Sequence, residues 1–218
     1  MTLIALALRI YNVNIHSLWL DELTTWAVTQ MRPFGTMLSF HIATDGNPPL
    51  YWILQYPFTF ITPKYEEWGA RITSLIYGTL SVPVFFYFAK KNLNLRVAYL
   101  TTVFMAFSYL GIYFSQEARV FILLVLLCIL TTHFWFLLWD QKGNKFTSIY
   151  YALCAVLLMY SHNYGLLFVI GQSLLAIVYF RRFGVRNLVI TGILIFLFYS
   201  PWLPVIYSQL TPQQFWMS

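Results

Sequence analysis

The stretch VFILLVLLCILTTHFWFLLW, residues 120–139, decides the architecture. It is an uncharged apolar run of the about 20 residues that a helix needs to cross the hydrocarbon core of a bilayer. Lipid offers no partner to backbone N–H and C=O groups, so the run is read as a helix that satisfies its own. Working outward, further apolar runs cover Val97–Phe114 and Ala70–Ala89 on one side, and Phe146–Tyr160, Tyr164–Phe180 and Leu188–Tyr207 on the other. Leu3–Tyr11 adds the outer half of a first span, with Arg9 placed where a long side chain can snorkel to the headgroups. The composition agrees: 60% of residues are hydrophobic and 9% charged, against roughly 25% charged in a soluble domain. The prediction is an all-α fold, a polytopic membrane helix bundle of about seven transmembrane helices.

Charge gives the bundle an orientation. In a soluble protein the formal charge of +6 would point to nucleic acid, but in loops between spans an excess of Lys and Arg marks the cytoplasmic side, and no nucleic-acid partner is expected. Every second turn is basic: Lys90-Lys91 with Arg96, then Lys142 with Lys145, then Arg181-Arg182 with Arg186. The intervening turns carry Glu117, Arg119 and His162, which places them outside, together with the long segment 12–68. That segment holds five of the seven acidic residues and is read as a first extracytoplasmic loop with two interfacial helices, Leu23–Met31 and Leu50–Ile61. Its aromatics suit a water–lipid boundary. Residues 69–207 then form the transmembrane helices, and 208–218 begin a further outer loop. MTLIALALRIYNV lacks the basic region and cleavage site of a signal peptide and is shorter than a span. The short first run is read as a late start site or a clipped first helix, and because nothing closes the last outer loop the chain is expected to continue. Cys128 and Cys154 sit in apolar runs, as packing residues do, and imply no disulfide.

Several polar groups fall on the predicted outer face, and each has a plain and a chemical reading. Asp21 and Glu22, within LWLDELTTW, are adjacent like charges, which raise a pKa or attract a cation; alternatively Asp21 simply caps the helix that follows. Asp45 in DGNPPLYW is either a turn former or one oxygen ligand. In SQEAR, Glu117 and Arg119 form either an interfacial pair or a phosphate-binding arginine beside a free carboxylate. His162 in YSHNYG is either a boundary residue or a ligand, and His133, inside a span, is expected to bond to a neighbouring helix. Arg71 is read as the outer end of its span. Trp19, Trp26, Tyr51 and Trp52 are read as an aromatic surface for sugar or isoprenoid, or as an interfacial belt.

In order along nearly the whole chain, LWLDE, DGNPPLYW, Arg71-Ile72-Thr73-Ser74 followed by Gly78 and LSVPVFFYFAKK, SQEAR, YSHNYG and SPWLPV resemble the amino-terminal half of GT-C class membrane glycosyltransferases. The nearest branch is the bacterial and archaeal relatives of protein O-mannosyltransferases and of the aminoarabinose transferase. The resemblance implies inverting transfer of a sugar from a polyprenyl-phosphate donor to a glycan, lipid or protein acceptor, by a multi-pass protein of the plasma (inner) membrane with its site outside the cytoplasm. It implies catalytic roles for Asp21 and Glu22, and substrate binding by Arg119, Asp45, His162 and Tyr51. A divalent ion, magnesium or manganese, is the one cofactor it admits, at Asp21 and Glu117. Relatives often carry His before the double proline where this chain has Asn47, so no metal ligand is carried over there. The rival readings are a transporter or flippase for a lipid-linked substrate, which would show repeats and charged residues at mid-membrane, and a non-catalytic membrane subunit.

Overall fold

The computed structural model describes residues 1–62, 66–140, 142–144 and 146–210. The expected basic Lys145 and all of the expected outer loop beyond residue 210 lie outside the described residues. Fourteen α-helices and one short 3-10 turn account for nearly all of what is described, and no strand occurs among those residues. In chain order they are α1 (Thr2–Ile10), α2 (Leu20–Thr29), α3 (Phe34–Thr44), α4 (Leu50–Gln55), α5 (Phe58–Ile61), α6 (Glu66–Asn92) and α7 (Leu95–Phe107). There follow α8 (Tyr109–Tyr113), α9 (Phe121–Trp139), α10 (Thr147–Ser161), α11 (Asn163–Val178), α12 (Phe180–Phe183), α13 (Val185–Tyr199) and α14 (Leu203–Leu210). Three stretches are long and apolar enough to cross a membrane: Glu67–Asn92, Phe121–Trp139 and Val185–Gln209. The apolar helices α7, α10 and α11 are shorter. The chain is an all-helical membrane protein.

The predicted apolar runs and the helices largely coincide, and three of the local differences have the following physical causes. The run 97–114 divides at Ser108, whose hydroxyl accepts the Gly111 N–H at 3.2 Å and so starts a new helix. The predicted helix 50–61 divides at Pro57, which has no N–H to continue the ladder. The sequence reading missed α3 altogether: only Met37 and His41 of its residues are buried, so it carries no apolar stripe to betray it.

Helix α6 is the hub, packing on α1, α7 and α9; α9 continues the layer to α10, and α10 contacts α11 and α13. Small residues permit the close approaches: Ala5 of α1, Val82 of α6 and Ala106 of α7 form one fully buried contact. At Gly78 of α6 a Cβ would lie 1.9 Å from Ser115 Oγ and 3.1 Å from Arg9 Nε, so only glycine lets these side chains cross the helix. At Gly165 it would lie 2.1 Å from the Leu158 carbonyl oxygen, which fixes the tight corner between α10 and α11. Asn92 of α6 meets His133 Nδ1 at 2.9 Å, the interhelical contact expected of that histidine. Cys128 and Cys154 are free thiols.

Arg9 does not snorkel. It is fully buried, donating from Nε to Ser115 Oγ at 3.1 Å and from Nη1 to the Ala5 and Ala106 carbonyls at 3.1 and 3.3 Å, with Met105 O 3.5 Å from Nη2. The break at Ser108 is the reason. It leaves the last carbonyls of α7 without helical partners, and a guanidinium both satisfies them and answers the negative end of the helix dipole.

Candidate active site

Asp21 and Glu22 fall in the first turn of α2, where a carboxylate is favoured by the unpaired N–H groups. Asp21 is not the cap; the helix begins at Leu20, and Glu22 reaches back to the Trp19 N–H at 3.4 Å. Successive helical residues point about 100° apart, so the two neighbours have different surroundings. Glu22 turns inward and is wholly buried, whereas the Asp21 side chain is 42% exposed.

A carboxylate is buried only where it is paired, and Glu22 is paired with Arg71. Nε donates to Oε1 at 2.8 Å and Nη2 to Oε2 at 2.7 Å, a two-pronged contact. The remaining Arg71 valence goes to the Val13 carbonyl at 2.5 Å and the His16 carbonyl at 3.0 Å. Glu22 Oε1 also accepts the Ala118 N–H at 2.7 Å. One ion pair thus joins the segment after α1, the start of α2, the start of α6 and the turn before α9. Arg71 is the residue whose weight the sequence reading missed. The signal was there: an arginine one turn into an apolar helix needs a partner.

Asp21 pairs with Arg119, Oδ2 to Nη2, at 3.2 Å. The guanidinium lies 6.0 Å from the Trp19 ring centre and 5.8 Å from that of Phe121, and its Nε is buried with no hydrogen-bond partner. Its backbone is held from below: Ser74 Oγ lies 3.3 Å from the Arg119 carbonyl oxygen and 2.9 Å from the Tyr51 hydroxyl. Tyr51 is therefore beneath the site and not on its surface. It is 1% exposed, and burial pushes its hydroxyl up to about 12. Trp26 and Trp52 are buried too, the Trp52 ring centre 4.0 Å from that of His41 with the planes tilted by 36°. Of the four aromatics expected to form a sugar-binding surface or belt, Trp19 alone is exposed, because the short helices α2 and α4 pack their aromatics against the bundle.

Glu117 and Glu22 line the same cavity of about 220 Å³, with Arg71, Tyr113, Gln116 and Trp19. Burial holds the Glu117 carboxyl above the usual range and the charge of Glu22 adds to this, opposed by the Tyr113 hydroxyl and by Arg119 and Arg71. A resident divalent cation takes six or more oxygens. Here Asp21 is engaged by Arg119 and Glu22 by Arg71, and burial raises the Glu117 carboxyl; among the described residues no three His, Cys, Asp or Glu side chains are grouped to hold a metal. Among the described residues Asp21 and Glu117 therefore do not form an all-protein cage for such an ion.

The corner between α10 and α11 closes the site from another direction. The Asn163 amide donates to the Gly46 carbonyl at 2.8 Å, docking the turn that contains Asp45. Asp45 Oδ1 accepts the Asn47 N–H at 2.8 Å, and His41 Nδ1 is 3.9 Å from Oδ2. His162 senses both charged neighbours: burial first and Arg119 second hold it below the ordinary histidine range, with Asp45 opposing. The structure thus pairs Asp21 with Arg119, sets Glu22 and Glu117 on one cavity, and brings Asp45 and His162 within electrostatic range.

The family model described as dolichyl-phosphate-mannose-protein mannosyltransferase matches residues 46–205. No curated protein matches the chain.

Proposed function

The chain belongs to the dolichyl-phosphate-mannose-protein mannosyltransferase family, and from that premise we propose that Asp21 and Arg119 carry the transfer of a sugar from a polyprenyl-phosphate donor, with inversion, at the extracytoplasmic face of the plasma membrane. Glycosyltransfer from a polyprenyl-phosphate-linked sugar is the activity of the family; the residues, the face and the stereochemistry are our reading. The observation that carries it is the Asp21–Arg119 pair at 3.2 Å with the Arg119 Nε left without a partner. A buried donor without an acceptor is costly, and a phosphate oxygen is the ligand a guanidinium edge fits best.

In this scheme the donor phosphate engages Arg119 and loosens its hold on Asp21. The freed carboxylate takes the proton from an acceptor hydroxyl as its oxygen attacks the anomeric carbon. The bond from that carbon to the phosphate oxygen breaks, its electron pair stays on the phosphate, and Arg119 stabilises the charge that develops there. Attack opposite the departing phosphate inverts the anomeric centre. Glu22 holds the first turn of α2 in place through Arg71, and Glu117 lines the adjoining cavity. No step runs through a cation.

The test compares wild type, Asp21→Asn and Arg119→Ala in membranes for transfer of radiolabelled sugar from total polyprenyl-phosphate sugars. Both variants should insert and both should be silent, the removal of a general base alone costing roughly 10²–10⁴-fold. Variants that transfer as well as wild type would sink the assignment.

A further inference from the structure

A hydroxyl inside a helix commonly spends its proton on a carbonyl three or four residues back in its own helix. Ser81 of α6 does so with the Gly78 carbonyl at 2.7 Å, and Thr131 of α9 with that of Leu127 at 2.7 Å. Ser74 of α6, as deeply buried, reaches outside its helix: its Oγ donates to the Arg119 carbonyl at 3.3 Å. That carbonyl lies just before Val120, the cap of α9, and among the described residues no backbone N–H reaches it. A carbonyl can only accept, so the Ser74 proton is committed to it, and the 2.9 Å contact with Tyr51 is a bond that the Tyr51 hydroxyl donates. Thr73, the other hydroxyl within reach of Tyr51, donates to Gln55 Oε1, and the Gln55 amide is itself fixed by its bond to the Gly69 carbonyl at 2.7 Å. The bonds therefore run one way, from Tyr51 of α4 through Ser74 of α6 to the Arg119 backbone.

Arg119 stands on a turn that no helix shapes. Its N–H goes to the Glu117 carbonyl at 2.8 Å, the preceding Ala118 N–H to Glu22 at 2.7 Å, and its carbonyl to Ser74. The guanidinium itself is paired with Asp21, a tie that the transfer scheme loosens, so what then keeps it in place is the backbone behind it. We infer that Ser74, oriented by Tyr51, is a positioning residue for the transfer: it holds the Arg119 backbone so that the guanidinium keeps its place when Asp21 is released to act as base. This rests on the reading of Arg119 as the phosphate-binding residue, and it gives Tyr51 a part in the support of the site and not in contact with substrate. A charged group displaced by about 1 Å can cost roughly a hundredfold in rate. The added charge on the phosphate appears as its bond to the anomeric carbon breaks, so a displaced guanidinium is felt in the transition state more than in the bound donor, and in kcat more than in KM.

The experiment measures kcat and KM in membranes, with extracted radiolabelled polyprenyl-phosphate sugars at varied concentration, for the full-length wild type, Ser74→Ala, Tyr51→Phe, their double variant, Ser81→Ala and Arg119→Ala. In Ser74→Ala kcat should fall about tenfold to a hundredfold while KM stays within about threefold. Tyr51→Phe leaves Ser74 its proton for Arg119 and should lose less. The double variant should be no slower than Ser74→Ala alone, because the bonds run through Ser74. Ser81→Ala removes a buried serine bond from the same helix and should transfer like wild type, although the melting temperatures of Ser74→Ala and Ser81→Ala fall alike. Transfer by Ser74→Ala that is unchanged, or reduced no more than in Ser81→Ala, would overturn the inference and leave Ser74 a packing residue. A KM that rises with kcat unchanged would overturn it too, as would losses that add in the double variant, since Tyr51 would then act by a separate route. If Arg119→Ala is silent while Ser74→Ala is fully active, the role of Ser74 alone is lost; if Arg119→Ala transfers like wild type, the phosphate reading of Arg119 falls and this inference with it.

Discussion

Replacing Arg71 by methionine tests the central tie of the site. The substitution roughly keeps the volume of a residue that is 4% exposed, but leaves Glu22, wholly buried, with only the Ala118 and Trp19 N–H groups as donors. It also strips the Val13 and His16 carbonyls of their partner. Breaking a buried ion pair from one side costs about 3–5 kcal/mol, a large share of the roughly 5–15 kcal/mol that holds a domain folded. Removing both charges is a different perturbation. With Glu22→Leu added no carboxylate is left buried and unpaired, and a pair replaced by apolar groups is often close to neutral. The double variant should therefore recover much of the loss, with a coupling of about 2 kcal/mol or more between the two positions. The assay is reversible unfolding of the full chain in micelles for wild type, each single variant and the double. A loss below about 1 kcal/mol for Arg71→Met, the range of an exposed pair, with no recovery in the double, would refute the reasoning.

Two further outcomes follow from the same geometry. Burial raises the Glu117 carboxyl, so the folded protein holds this proton more firmly than the unfolded chain, and its contribution is intact below the ordinary glutamate range and lost as pH rises through the raised folded value. Melting temperatures of wild type and Glu117→Gln should coincide at about pH 4 and separate at about pH 7.5 with the variant higher; a gap that does not change with pH would contradict this. At Gly78 an added methyl meets Ser115 Oγ at 1.9 Å, so Gly78→Ala should destabilise by about 1–3 kcal/mol or more, and Gly78→Ala with Ser115→Ala should recover part of it in the same unfolding assay.

The long helices were legible because apolar runs bounded by basic turns have few alternatives in lipid, and Val120–Trp139 differs from its helix by a single residue. What broke them was less visible: Ser108 acts through a local hydroxyl bond and α3 through two buried residues, neither of which disturbs hydropathy. The proximity of Asp21, Glu22, Glu117, Arg119 and His162 was legible in the alternation of basic and other turns. Their pairing was not. Sequence neighbours suggested Asp21 with Glu22 and Glu117 with Arg119, whereas the ion pairs are Asp21 with Arg119 and Glu22 with Arg71. Adjacency on a helix points side chains apart, so the partner comes from whichever element packs across, and that is a property of the fold. Arg9 makes the same point, since its burial depends on carbonyls that are freed about a hundred positions later in the chain.

The tie from Glu22 to Ala118 has a bearing on how the protein is made. Its two ends are 96 residues apart in sequence, and the Arg71 end is 49 from Glu22. Contacts of such separation form late, because the intervening chain must be ordered before they can close. During synthesis Glu22 therefore emerges long before its guanidinium partner and longer still before the turn that gives it the last N–H. A chain stalled before residue 118 holds both carboxylates of α2 but has neither Arg119 for one nor the full cradle for the other, so the site comes into being in a single late event and not by gradual addition.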